Sequence, residues 1–306
     1  MLLRNGMLWL AGNQTMQRTV VRSRLARPMA RRFVAGEELQ EALEVAATLN
    51  RRGALATLDY LGENVTSEEE ARHVVHTYTD LLRAIRTRGL ACNVSLKLTA
   101  LGLDIGRDVC VENLDEIARV AREQGNFVRI DMEGSDYTAT TLAIFEELRC
   151  SRGYHNVGIV LQSALYRTAG DVERAIAMGA RVRLCKGAYL ERPEVAFPEK
   201  ADVDLNYVAL ARRLVCDGHY PALATHDGRI VEWVKRFAEA ERIGRERFEF
   251  QMLYGVRRDL QHQLIDEGYN VRVYVPFGES WYPYLMRRLA ERPANLFFIL
   301  RALQHR

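Results

Sequence analysis

Five cysteines are too few and too scattered to hold this 306-residue chain together. Cys92, Cys110, Cys150, Cys185 and Cys216 are odd in number and form no CxxC pair. That excludes a disulfide framework and a structural zinc site, and it fits a reducing, cytoplasmic setting. No run approaches the roughly 20 apolar residues needed to span a bilayer. The apolar start Met1–Ala11 carries Arg4 and Asn5 and lacks the cleavage site of a secretory signal. No G-x-G-x-x-G follows the first strand signal, where Leu61-Gly-Glu-Asn stands instead, so a nicotinamide-binding doubly wound sheet is not expected. A net charge of +3 is too small to imply nucleic acid. Acidic residues are missing from Met1 to Gly36, while Arg4, Arg18, Arg22, Arg24, Arg27, Arg31 and Arg32 make that stretch strongly positive. It reads either as a solvated helical lead-in or as a contact for an anionic surface such as phospholipid head groups, and a transit peptide has similar composition.

What is present suits one large α/β domain. A hydrophobic content of 48% and a charged content of 27% allow a substantial core. From Gly53 onward, short apolar segments alternate with longer amphipathic ones. The strand signals are Ala54–Tyr60, Cys92–Leu98, Phe127–Met132, Val157–Leu161, Val182–Cys185, Ala222–Thr225, Phe248–Met252 and Val271–Val275. Each is apolar enough to be buried on both faces, as parallel strands are. Helical patterns separate them. Ser67 and Glu70 form a capping-box signature, and that helix is predicted to stop at Gly89. The others are Val111–Glu123, Thr140–Arg149, Asp171–Met178, Leu205–Cys216, Ile230–Ile243, Arg257–Glu267 and Glu279–Glu291. Eight strand-then-helix repeats predict a (β/α)8 TIM-type barrel over residues 53–306, preceded by a helical extension over 1–52.

In such barrels chemistry gathers at the carboxyl ends of the strands. There the sequence places Lys97, Asp131-Met132-Glu133, Gln162, Arg183, Lys186, His226-Asp227, Gln251 and Tyr274. Burying so many polar groups is costly unless they bind something. Singly, each has an ordinary alternative. Asp131 could pair with Lys97 or Arg183, and His226 could be a satisfied core histidine. Met132 and Leu253 could be plain core residues, and Cys185 a small filler. Lys97 or Lys186 could be a Schiff-base lysine, which keeps a lyase reading open. No plausible set of metal ligands surrounds His226. In the last helix, Tyr284 lies three and four residues from Arg287 and Arg288, on one face with Trp281 and Tyr282 nearby. Paired guanidinium groups beside aromatic surface suit a small ligand with a carboxylate and an apolar body.

Seven segments then carry a resemblance. Ser95-Leu-Lys-Leu-Thr-Ala-Leu-Gly, Val128-Arg-Ile-Asp-Met-Glu, Val182-Arg-Leu-Cys-Lys-Gly-Ala-Tyr, Leu223-Ala-Thr-His-Asp, Phe250-Gln-Met-Leu-Tyr-Gly, Val273-Tyr-Val-Pro-Phe-Gly and Tyr284-Leu-Met-Arg-Arg288 follow one another from about residue 90 to 300. In this order the chain resembles the flavin-dependent proline dehydrogenase family of monofunctional bacterial type. The resemblance implies non-covalent FAD, oxidation of L-proline to Δ1-pyrroline-5-carboxylate, and a quinone-type electron acceptor, with peripheral contact at the inner membrane face. Carried over residue by residue, it implies that Lys97, Arg287 and Arg288 hold the proline carboxylate. Tyr189, Leu253, Tyr274 and Tyr284 would wall in the ring. Asp131 and Arg183 would be the catalytic pair, Arg183 nearest the reactive flavin edge. Met132, Gln162, Arg183, Lys186, Gly187, Ala188, Thr225 and His226 would contact the flavin. The sequence stops about where the barrel is expected to stop, so a separate pyrroline-5-carboxylate dehydrogenase would act on the product. The stretch before Gly53 carries no motif of the family.

Overall fold

Each apolar strand signal becomes a strand, and each strand pairs in parallel with the next. In this computed structural model β1 (Leu55–Tyr60), β2 (Cys92–Leu96), β3 (Val128–Ile130), β4 (Val157–Gln162), β5 (Arg181–Cys185), β6 (Ala222–Ala224), β7 (Glu249–Leu253) and β8 (Asn270–Phe277) form a closed barrel in sequence order. Closure comes from β8 lying against β1, with Leu55 opposite Arg272 and Tyr60 opposite Phe277. The structure describes residues 30–291; the side chains of Arg287 and of 289–291 lie outside the described residues. The arginine-rich lead-in therefore also lies outside them, apart from 30–36.

Helix α1 (Leu39–Arg51) precedes β1, and the others follow their strands in turn: α2 (Glu68–Thr87), α3 (Arg107–Glu123), α4 (Ser135–Glu146), α5 (Thr168–Ala177), α6 (Lys200–Asp217), α7 (Gly228–Ala240), α8 (Arg258–Asp266) and α9 (Trp281–Glu291). Ser67 caps α2, its hydroxyl accepting from the Glu70 amide at 3.2 Å. The Glu70 carboxylate accepts from the Thr66 amide, one residue earlier than the capping-box pattern implies. Gly89 ends the turn with φ of +60°. Between strands and helices runs one continuous apolar layer, including Leu58, Val94, Ile130, Ile159, Leu184, Phe250 and Val273 against Leu82, Ile117 and Leu214. Each such side chain contributes ~1.5–3 kcal/mol over its exposed state. Helix α1 adds Ala42, Leu43 and Ala46 to the same layer.

Alternation along the strands sends a second set of residues into the barrel, and here the filling is polar. Arg129, Arg183, Gln251 and Glu249 are all buried, and hydrogen bonds from Arg129 to the Ile159 carbonyl, Arg183 to Gln251 and Arg272 to Glu249 run from strand to strand across the interior. Gly158 makes room at one level. A Cβ there would lie 2.5 Å from the Phe127 ring, 2.6 Å from the Arg181 carbonyl and 2.8 Å from Arg129 Nη1. The Arg181 carbonyl belongs to a strand and cannot move aside. Toward the amino-terminal end a wide cleft of about 780 Å³ opens between the ends of α2 and α3. Arg86 and Arg122 stand in the last turns of those helices, where cations offset the carbonyl dipoles.

A second apolar cluster sits over the other end. Ala30, Phe33 and Val34 pack with Leu61, Trp281, Tyr282, Tyr284 and Leu285. Trp281 Nε1 donates to Glu37 at 3.0 Å, and the Ala35 amide donates to the Pro276 carbonyl at 2.9 Å. The segment before α1 thereby clamps α9 above the carboxyl ends of the strands. Among the described residues, no helix is long and apolar enough to cross a membrane.

Gly158→Ala is expected to lower the unfolding free energy by about 2 kcal/mol, the usual cost of forcing a methyl into a filled core. Urea denaturation followed by tryptophan fluorescence measures it. An unchanged midpoint would mean that Phe127 and Arg129 repack without cost.

Candidate active site

The strand order brings almost all the polar strand ends to one cavity of about 370 Å³ at the carboxyl end of the barrel. Its wall contains Lys97, Asp131, Met132, Arg183, Lys186, Gly187, Ala188, Tyr189, Thr225, His226, Leu253, Tyr274, Tyr284 and Arg288. Those fourteen are residues the sequence singles out. Gln162 is not in the wall. Its side chain is buried, and its amide donates to the Glu133 carbonyl at 3.0 Å. The Arg287 side chain is outside the described residues.

Asp131 is the meeting point. Its Oδ1 accepts from Arg183 Nη1 and from Ser95 Oγ, both at 2.6 Å, and its Oδ2 accepts from Tyr274 Oη at 2.7 Å. Ser95 Oγ also accepts from Arg183 Nη1 at 3.1 Å. The Arg183 guanidinium stands 5.1 Å from the centre of the Tyr274 ring, and its Nε donates to Gln251 Oε1 at 2.5 Å. The two pairings the sequence leaves open for Asp131 resolve in favour of Arg183. Tyr274 keeps its proton, since burial and the adjacent Asp131 raise its phenol well above the ordinary value.

Lys97 pairs elsewhere. Its ammonium lies 3.3 Å from Asp59 and 3.6 Å from Glu63, two carboxylates the sequence reading passes over. Burial works against the Lys97 charge, but Asp59 and Glu63 outweigh it and hold the ammonium above its usual value. That is opposite to what an amine nucleophile needs, so the Schiff-base reading loses Lys97. The same pair strains Asp59. Burial pushes its carboxyl up to about 6, Lys97 opposes, and the nearby Asp131 adds to the rise. Asp59 falls in register with Thr57 on β1, alternating with apolar Ala56 and Leu58. That period of two is the signal that marks it as facing inward.

Lys186 lies between Asp204 at 2.5 Å and Asp227 at 3.4 Å. Beyond it, Gly187 has φ of +120°, a conformation only glycine adopts without strain. His226 Nε2 accepts from the Leu253 amide at 2.9 Å, which makes it a neutral acceptor at that nitrogen. Among the described residues, no three histidines, cysteines or carboxylates gather as a metal set. Glu133 ties strand ends together: its carboxylate accepts from the Thr99 amide at 3.1 Å and the Thr99 hydroxyl at 2.6 Å. Burial raises its carboxyl against those bonds. Arg288 stands 5.2 Å from the centre of the Tyr284 ring, so α9 presents a cation and an aromatic face together over the cavity.

The cavity thus combines cations at Lys97, Arg183, Lys186 and Arg288 with rings at Tyr189, Tyr274 and Tyr284. Arg183 Nη2 is buried and has no hydrogen-bond partner. A donor left so costs roughly 1–3 kcal/mol, more when charged, unless a ligand supplies the acceptor.

A family model described as proline dehydrogenase matches residues 42–301. The chain is 40% identical over 302 residues to proline dehydrogenase 1 of Bacillus subtilis (strain 168), covering 99% of each chain. It is 43% identical over 278 residues to the proline dehydrogenase of Deinococcus radiodurans, covering 90% of each. Among solved structures, proline utilization A from Bdellovibrio bacteriovorus, inactivated by N-propargylglycine, matches with a TM-score of 0.80 and 30% identity. That match covers 86% of this chain and 32% of the other, so the chain spans about a third of that protein.

The raised Asp59 carboxyl makes stability fall as pH rises. The folded form binds the proton more tightly than the unfolded chain, so its contribution is complete below about 4 and is lost as pH climbs through about 6. The advantage of wild type over Asp59→Asn in urea denaturation should shrink by up to about 3 kcal/mol across that window. A difference constant from pH 4 to 7 would show that Asp59 is charged throughout.

Proposed function

The chain belongs to the proline dehydrogenase family and is an oxidoreductase of proline; on that premise we propose that it converts L-proline to Δ1-pyrroline-5-carboxylate with non-covalently held FAD and a quinone-type acceptor. The observation that carries the reading is the pairing of Lys97 and Arg288 with Tyr274 and Tyr284 around one cavity. It offers charge for a carboxylate and rings for methylenes in the same small space.

The residues present fit a flavin. Arg183 has an unused, buried donor in the cavity wall. The run Lys186-Gly187-Ala188 lines the same wall with a cation and a backbone turn that needs glycine. Arg183, Lys186, Gly187, Ala188, Thr225, His226 and Met132 would hold the group, and Gln162 would back Gly187 from behind, its Oε1 3.3 Å from where a Cβ on that glycine would stand. When bound, FAD accepts the hydride from the substrate carbon, and a cation beside its reactive edge favours the reduced form.

The chain's own residues do the positioning. Lys97 is kept as an ammonium by Asp59 and Glu63, so it binds the proline carboxylate as a fixed positive point. Arg288, with Arg287, adds the paired donors that suit a carboxylate. Tyr189, Leu253, Tyr274 and Tyr284 exclude water from the ring, which is held at one place and angle; such placement supplies much of a rate enhancement. Asp131 fixes both Arg183 and Tyr274 and so sets two walls at once. A lipid-soluble acceptor fits a cytoplasmic enzyme that touches the inner face of the membrane. The pyrroline product would pass to a separate pyrroline-5-carboxylate dehydrogenase.

The purified protein should be yellow, and anaerobic L-proline should bleach its visible band. A colourless protein that takes up no FAD would end the flavin reading. Arg288→Ala should retain flavin while its KM for proline rises about 30-fold or more, since losing one charged contact to a buried carboxylate costs ~2–5 kcal/mol. Wild-type KM in that variant would remove Arg288 from carboxylate binding.

A further inference from the structure

We propose that Glu249 and Gln251 on β7 are positioning residues that set the direction of the Arg183 guanidinium, through a hydrogen-bond chain that can run in only one sense. The proposal rests on the reading of Arg183 as the arginine that faces the flavin.

The chain has four members. Arg272 Nε donates to Glu249 Oε1 at 2.8 Å, Gln251 Nε2 donates to the same oxygen, and Arg183 Nε donates to Gln251 Oε1. Glu249, Gln251 and Arg183 are 2%, 3% and 5% exposed, so solvent does not offer substitute partners. Arginine is a donor only, and an ionised carboxylate is an acceptor only. Glutamine can be either, because its carbonyl and amino ends have nearly the same shape. Between Arg183 and an ionised Glu249, however, only one orientation leaves both neighbours satisfied. The amino end must face Glu249 and the carbonyl must face Arg183. This holds by chemistry, whichever way the amide is drawn.

Arg272 keeps the sense of the chain fixed. Burial opposes the charge on Glu249, but Arg272 more than offsets it and holds the carboxyl below the ordinary range. Arg183 is then gripped from two sides, by the Gln251 carbonyl at Nε and by Asp131 and Ser95 at Nη1. The remaining nitrogen, Nη2, is left as the unused donor. Glu249 lies two residues before Gln251 on the same face of the strand, with Gln251 in the cavity wall and Glu249 one level deeper.

The test uses substitutions that keep shape and change only donor and acceptor. In Glu249→Gln the amide oxygen can still accept from Arg272 and Gln251, but without the charge that enforces this sense, and the new amino end can compete with Arg183 Nε for the Gln251 carbonyl. Flavin reduction by proline should slow about tenfold, with KM for proline changed less than about threefold. In an Arg183→Met background the same substitution should have no further effect on that rate. The double variant Glu249→Gln with Gln251→Glu restores a single sense. The amide at 249 accepts from Arg272 and donates to the carboxylate at 251, which accepts from Arg183. Its rate should return to within about threefold of wild type.

A double variant as slow as Glu249→Gln, or equal losses with and without Arg183, would overturn the proposal. A readout independent of flavin is hydrogen exchange at the Arg183 Nε–H, followed by side-chain NMR in protein without added FAD or proline. Protection should be strong in wild type, lost in Glu249→Gln and regained in the double variant; equal protection in all three would also overturn it. Should the wild type take up no FAD, the flavin reading fails, and this arm still decides whether the chain orients Arg183.

Discussion

Three strands aim donors at one carboxylate. Ser95 from β2, Arg183 from β5 and Tyr274 from β8 all donate to Asp131, which stands just past the end of β3. A buried charge is tolerated only when its lone pairs are met, and here they are met from three directions across the barrel. The consequence reaches beyond Asp131. Each of those donors also lines or supports the cavity, so their places are fixed relative to one another by a common acceptor. Removing the carboxylate would leave Arg183 as a poorly compensated buried cation and free Tyr274 to turn. Removing a donor would be milder, because two others remain.

Around that point the electrostatics divide into separate tasks. Lys97 is paired with Asp59 and Glu63 rather than with Asp131, so the Lys97 ammonium and the Arg183 guanidinium are set by different carboxylates. Deeper in the barrel, Arg129 donates to the Ile159 and Arg181 carbonyls. Burial first, and then Arg183, pull its guanidinium well below the ordinary value. A barrel needs filling only with branched apolar residues to be stable. This one carries arginines at several levels of its interior, with Gly158 keeping space for one of them.

Much of this was legible in the sequence, and what was not has physical reasons. The strands agree to within a residue or two because parallel buried strands are nearly pure apolar runs. Two helices start earlier than their apolar periods predict: α3 begins at Arg107 rather than Val111, and α4 at Ser135 rather than Thr140. Their first turns are polar and have no apolar period to detect. Lys97, Asp131, Arg183 and Tyr274 could be named from the strand ends, but their partners could not. Whether Asp131 meets Lys97 or Arg183 depends on strand stagger around the closed barrel, which no local pattern encodes. Glu63 lies in a loop, and Gln162 carries a side chain that turns away from the cavity to a backbone carbonyl.

Cys185 lines the cavity, and burial pushes its thiol up to about 12. At neutral pH roughly one such group in 10⁵ is a thiolate, the form that oxidants and alkylating agents attack. The thiol in the cavity wall is therefore the wrong one for a reagent to find. Cys150 and Cys216, exposed on the outside, are open to thiol reagents instead. The cavity wall keeps a thiol but holds it chemically quiet, so thiol oxidation should begin at the surface and reach the cavity last.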